Sequence, residues 1–364
     1  MDKLFSKIKK KIILNKPKIF CITEAIHWDT FSLKLHFKII KFLIEQNIID
    51  TITWERFNII DGIILDYYIK NNTNYDIFYI SNLLLDGGIY FHRPSDDIFG
   101  LINWIKLFNQ KNNNKINIVG SDAITFYLDR KQKTIDLLYE IYGKDIDKIK
   151  KFILLQYKQI IHGYKENVLS NIKLLEKLNF ENNELNFMVY SLKLSLYDVP
   201  ITLGDVSFKN KENIRFKLLF ETCKFYYEKY KNLFYAGYHL SKAEYDIGPK
   251  IEKLCGKNYF QSWAIVAYNI YHFKIIFYQG NNDKSEIKKI KKTNLVKYIG
   301  RSPFIEKYGK GYHLINSKFD KGKIFFGGAE VPIFLSTKPA AKENFEVDIK
   351  SFDYIIIIPL AKNY

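Results

Sequence analysis

Phe352-Asp353 leads into Tyr354-Ile355-Ile356-Ile357-Ile358-Pro359, an apolar run with no polar alternation. A strand with one wet face alternates between apolar and polar residues. An uninterrupted run reads instead as a strand buried on both faces, as in a parallel sheet covered by helices. Ile19-Phe20-Cys21-Ile22-Thr23, Thr51-Ile52-Thr53-Trp54, Ile116-Asn117-Ile118-Val119-Gly120, Leu233-Phe234-Tyr235-Ala236-Gly237 and Ser262 to Tyr268 are further strand candidates, and Phe273 to Tyr278 is another. Between the first two, Leu33, Phe37, Ile40 and Ile44 fall at helical spacing behind Asp29 or Thr30 as cap. Helical patterns follow from about Asp61 to Lys70 and from Phe99 to Asn109 around Trp104, while Asp76 to Ile80 reads as a short strand or as the start of a helix. Strand, polar end and helix thus repeat, and right-handed crossovers between such units give a mostly parallel α/β sheet flanked by helices.

From about Asp122 to Lys231 strand signals nearly vanish. This stretch reads as a large all-helical insertion, residues 131–231, with a long helix through Lys148 to Glu166, and is expected to cover the cleft at the sheet's carboxyl edge. No Pro/Gly/Ser-rich linker divides the 364 residues, so a single domain over 1–364 is expected.

Composition narrows the function classes. The net charge of +17 invites a nucleic-acid reading, but the lysines are scattered among Ile, Asn, Phe and Tyr rather than gathered on one stretch. No nucleic-acid partner is expected, and the basic runs near the start and at Lys288-Lys289-Ile290-Lys291-Lys292 read as solvated faces. Cys21, Cys223 and Cys255 are too few and too scattered for a disulfide framework or a zinc ribbon. Ile12-Ile13-Leu14 is shorter than a signal-peptide apolar region, and the longer apolar runs are of strand length. The expectation is a cytoplasmic enzyme without a membrane partner; its oligomeric state is not legible.

Chemistry gathers at the carboxyl ends of strands in open α/β sheets. The first strand ends in Glu24-Ala25-Ile26-His27, a carboxylate and an imidazole three residues apart, beside the start of a helix whose free amides favour anions. The second strand delivers Glu55. Asp122 ends the third, and His239 follows the fourth. His92 and Arg93 stand before Pro94 in a loop from which they could meet a substrate. His162, His272 and His313 have no partner pattern and read as structural.

Taken together, these positions resemble the erythromycin esterase family. Thr23-Glu24-Ala25-Ile26-His27 is similar to its Gly-Glu-x-x-His motif, and Glu55 falls where its second glutamate is expected. Asn103 to Asn109 resembles its Trp-containing helix, Gly120-Ser121-Asp122 its Gly-aromatic-Asp strand end, Arg215-Phe216-Lys217-Leu218-Leu219 its Arg-containing helix, Tyr238 to Lys242 its late His segment, and Phe352-Asp353-Tyr354 its closing strand. Three positions depart: Thr23 replaces the glycine, His36 stands where a basic residue is expected, and the late pattern keeps only His239 of its two histidines. More distant relatives are the haem-uptake and Tiki-type proteins.

The resemblance implies hydrolysis of a small-molecule carboxylic ester, or a lactone, by an activated water. His27 would be the general base, Glu24 or Glu55 would orient it, and Arg215 and His239 would stabilise the oxyanion or protonate the leaving alkoxide. His36, Asp122, His92 and Arg93 would contact substrate. No cofactor is expected, although Glu24, His27, Glu55 and His239 are ligand types for a divalent metal. A metal-dependent hydrolase, an acyl transferase and a non-catalytic ligand-binding protein are the alternatives. No Gly-x-Ser-x-Gly elbow is present.

Overall fold

In the computed structural model the backbone falls into two compact units. The described residues are all but 1, 24–29, 72–73, 86–95, 114, 125–131, 156–163, 203–213, 231, 238–239, 245, 274–295, 301–307, 310, 320–322, 328–343 and 363–364.

One unit comprises residues 1–42, 238–249 and 258–364. Its sheet runs β1 (Ile19–Thr23), β5 (Phe260–Phe273), β10 (Tyr354–Lys362) and β7 (His313–Asn316), with β6 (Val296–Gly300) on the far end of β5. β5 is parallel to β1 and to β10, whereas β7 and β6 pair antiparallel. The apolar run at the chain's end is therefore a central strand, and Ile355, Ile356 and Ile357 are each 0% exposed, as a strand covered on both faces requires. At about 1.5–3 kcal/mol per buried aliphatic side chain, this strand is a main contributor to the core. Trp263 on β5 packs edge-on to Phe20 at 5.1 Å and against Tyr354 at 4.7 Å, tying three strands together. The expected break between Tyr268 and Phe273 is absent: β5 continues through Asn269 and His272, because β10 supplies ladder partners as far as Tyr271 and β6 as far as Phe273. A separate two-stranded sheet pairs β8 (Lys323–Gly327) with β9 (Asn344–Asp348).

The other unit comprises residues 43–237 and 250–257. Here β2 (Thr51–Asn58) lies between β3 (Asn117–Asp122) and β4 (Leu233–Gly237), all parallel. The amino ends are stitched by Asp50 and Thr51, whose amides both donate to the Asn232 carbonyl at 3.2 Å. Helix α3 (Ile59–Lys70) follows β2 without a loop, capped by Asn58, whose side chain accepts from the amides of Ile60 and Asp61. The same Asn58 donates to Asp61 Oδ2 at 2.7 Å, so the cap is reciprocal and buried. Gly120 on β3 admits this close junction, since a β-carbon there would lie 1.8 Å from the Asn58 carbonyl oxygen.

Among the described residues the remaining α-helices of this unit are α4 (Ile77–Leu85), α5 (Asp96–Lys111), α6 (Gln132–Tyr142), α7 (Lys150–Ile153), α8 (Tyr164–Leu175), α9 (Asn183–Thr202) and α10 (Ile214–Tyr230), with most of α11 (Gly248–Cys255). Residues 77–85 thus form a helix, one of the two readings open from sequence. The described part of 131–231 contains no strand. Its long helix through Lys148 is not continuous: Gly143, at φ +60°, opens a 3-10 turn over Gly143–Lys148, and α7 stops at Ile153.

Helix α2 (Thr30–Glu45) matches the apolar spacing read from the sequence. Helix α1 (Asp2–Asn15) was not expected; Leu4, Ile8 and Ile12 bury one of its faces.

Candidate functional site

The functional interest of the second unit lies where β2 and β3 end. Trp54 pairs with Gly120 and Asn58 with Asp122, so residues 55, 56 and 57 oppose Ser121 alone. This bulge keeps the chain extended past the point where the sequence placed the strand end, and Glu55 lies within the strand, at the bulge. The Glu55 side chain is 3% exposed.

A carboxylate so buried needs a partner, and Arg215 from the start of α10 provides it: Nη2 donates to Glu55 Oε1 at 3.1 Å. The same guanidinium forks onto Asp122, with Nε to Oδ1 at 2.9 Å and Nη2 to Oδ2 at 3.0 Å. Planar bidentate contact of this kind fixes the direction of the guanidinium as well as its position. One cation therefore serves two carboxylates, and the cluster carries a net negative charge when both are ionised. Asp122 also accepts from the Ala123 amide at 2.8 Å. Behind Arg215, Tyr235 on β4 donates to Ser121 Oγ at 3.0 Å and reaches the Leu219 carbonyl at 3.4 Å, linking β4, β3 and α10. Gly237 closes the other side: a β-carbon there would lie 2.2 Å from Glu55 Oε2.

Glu55, Asp122 and Arg215 are thus brought together from three distant parts of the chain. Glu24, His27, His92, Arg93 and His239 lie outside the described residues. His36 is on α2 in the other unit and is 0% exposed. In that unit the segment just after His239 is firmly held. Ser262 Oγ donates to the Leu240 carbonyl at 2.6 Å, Ser241 pairs with Asp246, and Lys242 Nζ meets Asp353 at 2.9 Å. Asp353 in turn accepts from the Ser262 amide at 2.9 Å. The Phe-Asp pair that opens the last strand is therefore an anchor for the segment carrying Lys242.

Two features were missed from sequence. The Asn58–Asp61 reciprocal cap was readable as an Asn-x-x-Asp spacing ahead of an apolar helix. The closeness of Gly237 to Glu55 had no sequence signal, since it depends on the pairing of β4 with β2.

A cavity of about 190 Å³ opens at the opposite, amino edge of β3, lined by Asp66, Lys70, Tyr142, Glu184, Tyr226 and Tyr230 among others. Burial pushes the Asp66 carboxyl above its ordinary range despite the Lys70 ammonium 2.6 Å away, and burial with Glu184 and Asp66 nearby pushes the Tyr142 phenol up. Among the described residues no group of three His, Cys, Asp or Glu side chains could hold a metal ion, and no helix is long and apolar enough to cross a membrane.

No family model matches the chain, and no curated protein matches it. Solved structures do. A mutant of the erythromycin esterase EreC in its open conformation is 13% identical with a TM-score of 0.60, the match covering 99% of this chain and 95% of that one. A succinoglycan biosynthesis protein is 14% identical with a TM-score of 0.60, covering 98% and 92%. A protein from Bacillus cereus is 13% identical with a TM-score of 0.56, covering 99% and 92%. The chain has an α/β fold, a mostly parallel sheet flanked by helices, similar to that of erythromycin esterase.

Proposed function

We propose that this protein hydrolyses a carboxylic ester or lactone of a small molecule through a water activated by His27. The observation that carries the reading is the buried Glu55 carboxylate near the end of β2, bonded by Arg215, whose guanidinium is in turn held by Asp122. Burying a carboxylate against an arginine that a second carboxylate fixes in direction is costly for a purely structural purpose, and such arrangements concentrate where charge is used. The likeness in fold to an erythromycin esterase supports the same reaction class. In the proposed reaction His27 takes a proton from water as its oxygen attacks the ester carbonyl. The tetrahedral intermediate then collapses, and the departing alkoxide is protonated, with His239 as the donor. Glu24 or Glu55 orients and stabilises the imidazolium. Because Arg215 bonds two carboxylates, its proposed part is to hold Glu55 aimed. The helical segment 131–231 selects which esters enter.

A panel of small esters and lactones, incubated with wild type, His27→Ala and Glu55→Gln, tests this. Turnover by wild type alone is expected. Ligand-induced thermal stabilisation without turnover in any of the three would mark a binding protein instead.

A further inference from the structure

Helix α1 buries Leu4, Ile8 and Ile12, and its opposite side carries Lys3, Lys7, Lys10 and Leu14. These four stand at i, i+4, i+7 and i+11, one ridge of an α-helix about 16 Å long. From sequence alone the run read as a solvated face. The structure adds three observations. No ion pair among the described residues involves Lys3, Lys7 or Lys10, so the ridge keeps like charges at i, i+4 and i, i+3 spacing, an arrangement that weakens a helix by a few tenths of a kcal/mol per pair. The neighbouring Lys9 and Lys11 are turned to rings of the fold, at 5.1 Å from Phe42 and 5.8 Å from Tyr354, and so are not part of the ridge. Finally, the ridge ends in apolar surface: Leu14 is 73% and Ile13 47% exposed.

Beside the apolar end lies the residue just before β5, Tyr259. Asn15 Nδ2 donates to Gln261 Oε1 at 3.1 Å, and the Lys18 amide donates to the Tyr259 carbonyl at 2.8 Å. These bonds set Tyr259, 48% exposed with the Lys18 ammonium 4.7 Å from its ring, beside the helix end. Lysines in a line, then an exposed leucine, isoleucine and tyrosine, are the components of a surface that rests on a charged interface and dips apolar groups just below it. A nucleic-acid backbone offers phosphates to the lysines but no partner for Leu14 and Ile13. An anionic bilayer offers both.

We propose that the α1 ridge, with Leu14, Ile13 and Tyr259 at its end, docks the protein on the surface of an anionic lipid bilayer, without any segment crossing it. Attraction comes from Lys3, Lys7, Lys10, Lys16 and Lys18 to lipid phosphates and carboxylates. Retention comes from the aliphatic side chains at the headgroup boundary. Binding therefore weakens with salt but keeps an apolar component.

The full chain is sedimented with vesicles of phosphatidylcholine alone or with 30 mol% phosphatidylserine, at about 0.1 M salt. Binding is expected only to the anionic vesicles. At roughly fivefold in partition per lysine near such a surface, replacing Lys3, Lys7 and Lys10 together by Gln lowers binding about 100-fold. A control with Lys173→Gln, Lys177→Gln and Lys253→Gln, equal in net charge, is expected to bind as wild type does. Ile13→Ser with Leu14→Ser keeps the charge and is expected to bind at least tenfold more weakly; both positions are exposed, and unchanged melting verifies the fold. The proposal is overturned if wild type ignores anionic vesicles, if the control loses as much as the ridge variant, or if the serine variant binds undiminished. The last result, with retention on a duplex DNA probe, would assign the ridge to nucleic acid.

Discussion

Glu55 Oε2 occupies space that a β-carbon on Gly237 would require; that carbon would lie 2.2 Å from it. Glu55 cannot simply turn away, because its other oxygen is held by Arg215 and its own β-carbon would lie 2.9 Å from the new methyl. Gly237→Ala is therefore expected to push the carboxylate off the guanidinium. Melting should fall by an amount matching about 1–3 kcal/mol, the usual range for an overpacked site, and ester turnover should fall with it. An alanine variant that melts and turns over like wild type would mean the strand end yields more easily than its pairing suggests.

Arg215 poses a complementary test. Removing it leaves Glu55 buried without its cation, a defect that costs 3–5 kcal/mol where both partners are buried. Because the arginine side chain is 35% exposed, about 1–3 kcal/mol is expected for Arg215→Ala. Arg215→Lys should recover little, since an ammonium cannot bond Asp122 through two nitrogens while reaching Glu55. Urea unfolding of the two variants with Asp122→Asn measures whether the three behave as one network; energies that simply add would deny the coupling.

His27→Ala should lower turnover roughly 100-fold to 10,000-fold, the usual contribution of a positioned base. His27→Gln should fail nearly as badly, because glutamine can bond but cannot take the proton. The rate should also fall as pH drops and the base is protonated. Near wild-type turnover in His27→Ala on a verified substrate would remove the proposed mechanism.

Asp353 and Lys242 are each 16% exposed and face one another at 2.9 Å. Asp353→Ala strips the lysine of its partner and the Ser262 amide of its acceptor. A loss of about 2–4 kcal/mol in chemical denaturation is expected, with Asp353→Asn intermediate. An unchanged denaturation midpoint in the alanine variant would show that the segment following His239 is held by its other bonds.

The raised Asp66 pKa carries a sign that can be checked. Its carboxyl binds its proton more tightly in the folded chain than in the unfolded one, whose value is near 3.8. Between those two values the folded state holds more protons, so stability falls as pH rises through that window. Asp66→Asn removes this dependence. The difference in melting temperature, variant minus wild type, should therefore be more positive at pH 7 than at pH 3.5. A flat or reversed difference would mean that the bond to Lys70 outweighs burial.

The sequence carried the sheet well, because its strands are short apolar runs whose ends are polar and whose helices show clean spacing. Ile355 to Ile357 announced a doubly covered strand by having no polar residue at all. What escaped depended on partners far along the chain. β5 looked like two strands because Asn269 and His272 interrupt its apolar run, yet pairing on both sides carries the ladder through. Glu55 read as standing just past a strand that closes at Trp54, because nothing local marks the bulge that follows. The fork of Arg215 on Asp122 was equally hidden, because the two residues are 93 positions apart and nothing local links them.

The three residues of that network are separated by 93 and 160 positions as counted back from Arg215. During synthesis the chain therefore carries Glu55 out of the ribosome long before its counterion exists. Until α10 is made, that carboxylate must stay in water, and the end of β2 can be paired but not sealed. The last residues of β2 should accordingly gain their protection from hydrogen exchange in step with the first turn of α10, two segments far apart in the order of translation that become protected together.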